Sequence, residues 1–317
     1  MATDAGLRQL TVQNSPGEAG PISVALYYPT PAQARPVAMG PFTVHVAIQG
    51  PIDAKLKGLI VLSHGRGGTE VGYTSMAEAL ARHGYLVAAL RHPGDNFQDR
   101  SLLQKSVSRY FSERPRDVSR VIDALLQDLD WKGRIAADAR GPRIGAVGHS
   151  AGGYTVLALA GAQPDLARNL AHCQEHGKDD PILCGIAARD RPLDREPRLL
   201  PPLADPRVRA VVALSPLAVT FSAESLAGIR VPTLVYAAER DRFLVPRFHA
   251  QWVASNVPGA EFRNVPNAWH FAFMDAPGNA IPTEDGDLAA DPPGFDRAAF
   301  LARLGAELCV FFDEALR

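Results

Sequence analysis

Two periodicities divide the chain. Over residues 7–13 and 22–28 apolar and polar positions alternate, with Asn14-Ser15-Pro16-Gly17 between them. A period of two is that of a strand with one wet face, so the pair predicts an antiparallel hairpin. Residues 29–41 read as a Pro-rich connection, and 42–48 alternate again as a third strand. From Leu56 the pattern changes to continuous apolar runs, at 58–62, 85–90, 144–147, 208–215, 232–237 and 260–265. Such runs are expected of strands buried on both faces. Segments with helical spacing lie among them. These are 73–83, closed by Gly84; 116–130, with Val118, Val121, Ile122, Leu125, Leu126 and Leu129 on one side; 154–160; 247–256; and 297–316.

Strands alternating with helices through short loops predict an α/β fold. Its sheet is mostly parallel, with right-handed crossovers, helices on both faces and an antiparallel N-terminal edge. One stretch breaks the rhythm. Residues 163–207 are rich in Pro, Asp and Arg, and an excursion of that length reads as a cap or lid inserted into a single domain spanning 1–317.

Composition narrows the function. The chain has 317 residues, of which 46% are hydrophobic and 21% charged, enough for a large core. A formal net charge of -1, with no concentration of Lys and Arg, argues against nucleic acid as a partner. No uninterrupted apolar stretch is long enough to span a bilayer. Residues 1–8 lack a basic segment backed by an apolar one, so no signal peptide is expected in the chain as it stands. Of the three cysteines, Cys309 falls in the last apolar helix pattern and reads as a buried thiol. Cys173 and Cys184 share the 163–207 insertion, and two readings stay open. They form a disulfide, in a periplasmic or secreted protein whose signal has been removed, or they are free thiols in a cytoplasmic one. Their spacing with His172 or His176 fits no zinc pattern, and no metal or organic cofactor is expected.

The candidate chemistry centres on Gly148-His149-Ser150-Ala151-Gly152, which follows the run 144–147 and leads into the helix pattern at 154–160. Strand, G-x-S-x-G and helix make a nucleophile elbow. Ser150 must occupy a sharp turn, and residues without side chains are needed where strand and helix approach each other. In an open α/β sheet, reactive groups sit at the carboxyl ends of the strands. Asp241 lies in the loop after the run 232–237, with Glu239 beside it as an alternative carboxylate; His270 lies in the loop after 260–265. That order, Ser…Asp…His, is the triad order of such sheets. His270 would take the Ser150 proton, and Asp241 would fix the imidazole tautomer. The N–H of Ala151 and, from the loop Ser63-His64-Gly65-Arg66-Gly67-Gly68, that of Arg66 are the expected oxyanion donors. The Arg66 guanidinium has two readings, recognition of an anionic substrate group or pairing with an acid such as Asp95. Arg66, His149 and Phe271 are the candidate substrate contacts, although adjacent residues at an elbow diverge and His149 should point away from Ser150.

With these residues the chain resembles the α/β-hydrolases, in particular bacterial serine esterases called predicted dienelactone hydrolases and their platelet-activating-factor acetylhydrolase relatives. The resemblance rests on His64-Gly65-Arg66-Gly67-Gly68, His92-Pro93-Gly94, Arg114-Pro115-Arg116-Asp117-Val118, Gly148 to Tyr154 and His270-Phe271, and it covers most of the chain. It implies Ser150 as nucleophile, Asp241 as acid, His270 as base and Arg66 and Ala151 as oxyanion donors. It also implies an exported protein. Two departures stand out. True dienelactone hydrolases use cysteine where this chain has Ser150, and many relatives carry an apolar residue at the position of Arg66.

The expected activity is therefore a serine carboxylic-ester hydrolase working through an acyl-enzyme. Its substrate would be a short to medium acyl ester, with polyester chain ends, lactones or phthalate-type diesters as further candidates. An amidase or peptidase with the same triad is the enzymatic rival, and a non-catalytic ligand-binding protein on the same scaffold is the rival from another class. Oligomeric state cannot be read from the sequence.

Overall fold

The computed structural model describes residues 3–52, 55–102, 106–189 and 198–317. The alternating N-terminal segments form β1 (Asp4–Val12) and β2 (Ile22–Thr30), paired antiparallel from Asp4 opposite Thr30 to Val12 opposite Ile22. The stretch expected as a plain connection contains a strand, β3 (Arg35–Met39), antiparallel to β4 (Phe42–Ile48). β3 is the outermost strand of the sheet, a place that tolerates Pro36; only Val37 and Met39 of its five residues turn toward the core, too short a pattern to have announced it.

The continuous apolar runs become β5 (Leu59–Ser63), β6 (Leu86–Arg91), β7 (Ile144–His149), β8 (Val208–Leu214), β9 (Thr233–Ala238) and β10 (Glu261–Val265). The sheet order is β10-β9-β8-β7-β5-β6-β2-β1-β4-β3. The strands from β10 through β6 are parallel, and β2 joins β6 antiparallel. Side chains alternate across the sheet: Leu59, Val61, Leu86 and Ala88 enter one core, Ile60, Leu62, Val87 and Ala89 the other. Burial on both faces is what removed the polar positions from these runs.

The helices described in full are α1 (Thr74–Arg82), α2 (Val107–Gln127), α3 (Ala151–Leu159), α4 (Leu166–His176), α5 (Pro181–Arg189), α6 (Ala223–Ala227), α7 (Ala250–Asn256) and α8 (Arg297–Ala315). α2 and α3 pack on the first face of the sheet; α1 and α8 cover the second. Val118, Val121, Ile122 and Leu125 of α2 are fully buried, each contributing about 1.5–3 kcal/mol over an exposed position.

Three helices differ from expectation in where they begin, end or break. α2 opens at Val107 rather than 116, with the Ser106 hydroxyl accepting from the Arg109 N–H at 3.1 Å, and it runs through Pro115. A proline has no N–H for the carbonyl four residues back. The Tyr154 hydroxyl donates to that carbonyl, on Phe111, at 3.0 Å, so a side chain of α3 replaces the missing bond. α2 also ends at Gln127, leaving Leu129 93% exposed instead of on its apolar side. α3 begins at Ala151, three residues before the expected start. The segment expected as one helix over 247–256 is a 3-10 turn (Pro246–Phe248) and then α7, interrupted at the buried His249.

Within 163–207 the structure places α4 and α5, joined by a Cys173–Cys184 disulfide. Residues 190–197 of that segment lie outside the described residues. Cys309 is a buried free thiol, pushed up to about 11 by burial. Among the described residues, no helix is long and apolar enough to cross a membrane.

Candidate active site

Strand register brings the reactive loops together. Ser63 pairs with Gly148, His149 with Leu214, and Leu214 with Tyr236, so β5, β7, β8 and β9 end side by side. Ser150 sits at the tip of β7 with φ 58° and ψ -116°, a left-handed conformation costly for any residue but glycine. Its own N–H donates to Leu214 O at 3.0 Å, and its carbonyl accepts from Leu217 and Tyr154, which hold the turn. The flanking glycines are steric necessities. A Cβ on Gly148 would lie 2.0 Å from Gly152 O, and one on Gly152 1.9 Å from Ser63 O. The Ala151 N–H, first in α3, has no partner among the described residues, as expected of a helix N-terminus.

Asp241 and His270 meet. His270 Nδ1 is 2.7 Å from Asp241 Oδ2, and both residues are buried. The other carboxylate oxygen accepts from the N–H groups of Phe243 and Leu244 at 3.0 and 2.9 Å. Facing a carboxylate, Nδ1 carries the proton, which leaves the Nε2 lone pair as the basic site. Phe243 stacks on the imidazole with centroids 5.0 Å apart. Glu239, the alternative carboxylate, is exposed and turns to the Asn267 N–H at 2.7 Å. Ser150 and His270 line the same cavity, and no hydrogen bond joins their side chains in this structure.

The loop after β5 faces Ser150. A Cβ on Gly65 would come within 3.3 Å of Ser150 Cβ. Its amides are largely engaged by the protein: Gly65 N–H donates to Tyr73 Oη (3.1 Å) and Gly67 N–H to Asp95 Oδ1 (2.8 Å). Arg66, between them, is exposed and lines the cavity. Asp95, beside this loop, is fully buried and its second oxygen pairs with Arg114. Arg114, also fully buried, further donates to His64 O and to Thr155 Oγ1 (3.1 Å), so one guanidinium ties this loop to α3.

Beneath the loop lies a second Ser-His-Asp set that the sequence reading did not find. Ser63 Oγ is 2.9 Å from His92 Nε2, and His92 Nδ1 is 2.9 Å from Asp117 Oδ2. All three are buried, and none lines the cavity. Burial, then the Arg114 charge, holds His92 well below the ordinary imidazole value; the same two causes, in that order, hold His64 at about 4. The signal for this cluster was Arg114 and Asp117 falling on the same helical side as Val118 and Val121.

The cavity in front of Ser150 has a volume of about 1310 Å³ and is walled by apolar groups such as Leu170, Leu183, Ile186, Leu217, Met274 and Phe271. Both disulfide cysteines and Arg189 of α5 contribute to its wall, so α4 and α5 form one side of it. Phe271 lies edge-on to Phe243 and His270 there. His149 also borders the cavity, and its ring nitrogens are engaged by the protein. It is 2% exposed, with Nδ1 on Tyr73 Oη and Nε2 on the His270 carbonyl, both at 2.9 Å, and no polar atom remains for a ligand.

Residues 60–281, more than two thirds of the chain, match the alpha/beta hydrolase family. The chain belongs to that family. Among 629 solved chains similar to this hydrolase-family protein is a ferulic acid esterase from Streptomyces cinnamoneus. The two share 22% sequence identity with a TM-score of 0.64, over 99% of this chain and 90% of that one. At that identity the likeness is one of fold. No protein of curated function is matched by the sequence.

Outside the Ser150 region, one group among the described residues has metal-type donors. The ligand atoms of His172, Asp180 and His249 lie within 4.8 Å of one another. The tautomer of His249 decides against a metal ion. Its Nδ1 accepts the Ala218 N–H at 3.1 Å, so the ring proton is on Nε2, the atom facing Asp180 at 3.0 Å. A metal there would need a ring stripped of both protons. The group is instead a hydrogen-bonded link between α4, the start of α5 and the core. Burial alone would raise the Asp180 carboxyl, but hydrogen bonds from His249 and His172 outweigh it and hold it below its ordinary value.

Proposed function

We propose that this alpha/beta hydrolase is a serine carboxylic-ester hydrolase. The observation that carries the reading is the shared cavity: Ser150 at a strained elbow and a His270 already oriented by Asp241 both open onto it. Ser150 Oγ attacks the acyl carbon while His270 Nε2 takes its proton, forming a tetrahedral oxyanion beside the Ala151 and Arg66 amides. Collapse breaks the ester C–O bond, and His270 returns the proton to the departing alcohol. Water then repeats the sequence on the acyl-enzyme and regenerates Ser150.

The ester assignment draws support from the ferulic acid esterase of like fold. Within the family, the motifs around His64, His92, Arg114 and His270 favour a place beside the dienelactone hydrolase-like and platelet-activating-factor acetylhydrolase-like esterases. The cavity exceeds the roughly 300–1,000 Å³ of ordinary small-molecule pockets, which favours esters with a bulky apolar part over acetates. The Cys173–Cys184 disulfide suits a compartment outside the reducing cytosol.

A fluorophosphonate reaction with peptide mapping, run beside an ester and its matching anilide, tests the reading. Labelling of Ser150 and turnover of the ester are expected. An unlabelled Ser150 with no turnover of either substrate would leave a ligand-binding protein, and preference for the anilide would make it an amidase.

A further inference from the structure

The residue before the proposed nucleophile has its proton positions fixed by one contact. His149 Nε2 lies 2.9 Å from the main-chain oxygen of His270, and a carbonyl can only accept, so Nε2 carries the ring proton. The lone pair is then on Nδ1, and Tyr73 Oη, at 2.9 Å, must donate to it. The same phenol oxygen accepts the Gly65 N–H at 3.1 Å. The result is a directional chain: Gly65 N–H to Tyr73, Tyr73 O–H to His149, His149 N–H to the His270 carbonyl. Every member is buried. Burial, and next to it the neighbouring His270, keeps His149 well below the ordinary imidazole value, the neutral state this chain requires.

Its two ends matter. Gly65 is the loop residue whose absent Cβ lets the oxyanion side approach Ser150, and His270 is the proposed base, with its ring 4.7 Å from that of His149. We propose that Tyr73 and His149 are positioning residues for hydrolysis, a relay that fixes the spacing between the oxyanion-side loop and the main chain of the base. The inference rests on the serine-hydrolase reading of the site. A reacting geometry loosened by about 1 Å can cost on the order of a hundredfold in rate. Tyr73 and His149 border the cavity, but their polar atoms are spent on one another, on Gly65 and on the His270 carbonyl, so loss of the relay should appear in kcat more than in KM.

Three variants separate the ends. Tyr73→Phe removes one oxygen and keeps the ring volume. His149→Asn keeps an acceptor near Nδ1 and loses the His270 bond; His149→Gln keeps a donor for the His270 carbonyl and loses the Tyr73 bond. Expected is a kcat lowered by about 10–100-fold in Tyr73→Phe, with KM within about twofold of wild type and a parallel fall in the rate of fluorophosphonate labelling at Ser150. Both His149 variants should lie between wild type and His149→Ala, each keeping one bond. Wild-type kcat in the folded Tyr73→Phe and His149→Asn proteins, with wild-type Ser150 labelled normally, overturns the relay and leaves the hydrolase reading standing. A rise in KM at unchanged kcat also overturns it. Should Tyr73→Phe fail to fold, the His149 pair decides, and a wild-type Ser150 that does not label sinks both readings.

Discussion

Asparagine at position 241 would put the proposed orienting role of Asp241 at risk. Asp241 is 4% exposed, and its carboxylate holds three donors: two main-chain N–H groups on Oδ1 and the His270 ring on Oδ2. In Asp241→Asn only the amide oxygen can accept, so it stays with the Phe243 and Leu244 N–H groups and the NH₂ turns to His270. Nδ1 must then accept, which moves the ring proton to Nε2, the atom proposed to receive the Ser150 proton. A wrong tautomer of this kind costs about 10⁴ in kcat, or about 5 kcal/mol of barrier. KM should change little, because Asp241 does not line the cavity. Steady-state hydrolysis of a chromogenic ester at pH 8, with melting curves to confirm folding, measures the effect. Glu239→Gln is the control: its amide oxygen still accepts from Asn267, and kcat should stay within about threefold. An Asp241→Asn enzyme within tenfold of wild type, or a larger loss in Glu239→Gln, would refute the assignment.

Further outcomes follow from other parts of the molecule. Replacing both Cys173 and Cys184 by serine should cost up to about 3 kcal/mol through the freed unfolded chain. Because both cysteines line the cavity, it should also raise KM for bulky esters more than for acetates; equal KM changes in the two series would refute the cavity-wall role. Gly152→Ala would set a methyl 1.9 Å from Ser63 O, and a loss above about 4 kcal/mol in urea unfolding is expected; a near-wild-type midpoint would contradict that close approach. His64, held at about 4 against 6.5 in the unfolded chain, takes up its proton more readily when unfolded. The stability from its neutral form is therefore whole above pH 6.5 and falls away toward pH 4, by about 3 kcal/mol in all. His92 and His149 act in the same sense, while Asp117 and Asp275, raised by burial, oppose it. Urea midpoints between pH 7 and 4.5 should fall more steeply in wild type than in His64→Gln, and parallel curves would count against the buried neutral imidazole.

What the sequence disclosed were features whose cause is local. The six parallel strands were visible because burial on both faces strips polar residues from a run, and the elbow because Gly148 and Gly152 have no room for a side chain. Features built by distant partners were hidden. Pro115 looked like a helix boundary because the Tyr154 hydroxyl that replaces its missing bond lies on another helix. β3 was hidden because only Val37 and Met39 of this short edge strand turn toward the core. Asp241 and Glu239 share one loop, and only the fold shows which carboxylate turns to His270. Tyr73 gave no sign at all, since a tyrosine opening an amphipathic helix reads as core. Arg114 and Asp117 did give one, as charges on the apolar side of α2, where a side chain must find buried partners.

The two Ser-His-Asp sets show why hydrogen-bond geometry does not by itself identify the reacting serine. Ser63, His92 and Asp117 have every bond of a triad, whereas Ser150 and His270 are not bonded in this structure. The difference lies in what each histidine can become. A general base must carry positive charge in the transition state. His92 is sealed from water beside the Arg114 guanidinium, whose Nη2 also reaches Ser63 Oγ at 3.3 Å, and burial pushes the Asp117 carboxyl up, away from the charge that would balance an imidazolium. His270 faces an open cavity and is backed by a carboxylate held by two main-chain donors. On the proposed mechanism, proton transfer is therefore opposed at Ser63 and favoured at Ser150. Fluorophosphonate should modify Ser150 alone, and Ser150→Ala should abolish labelling even though the Ser63 set remains complete; a label mapped to Ser63 would refute the electrostatic argument.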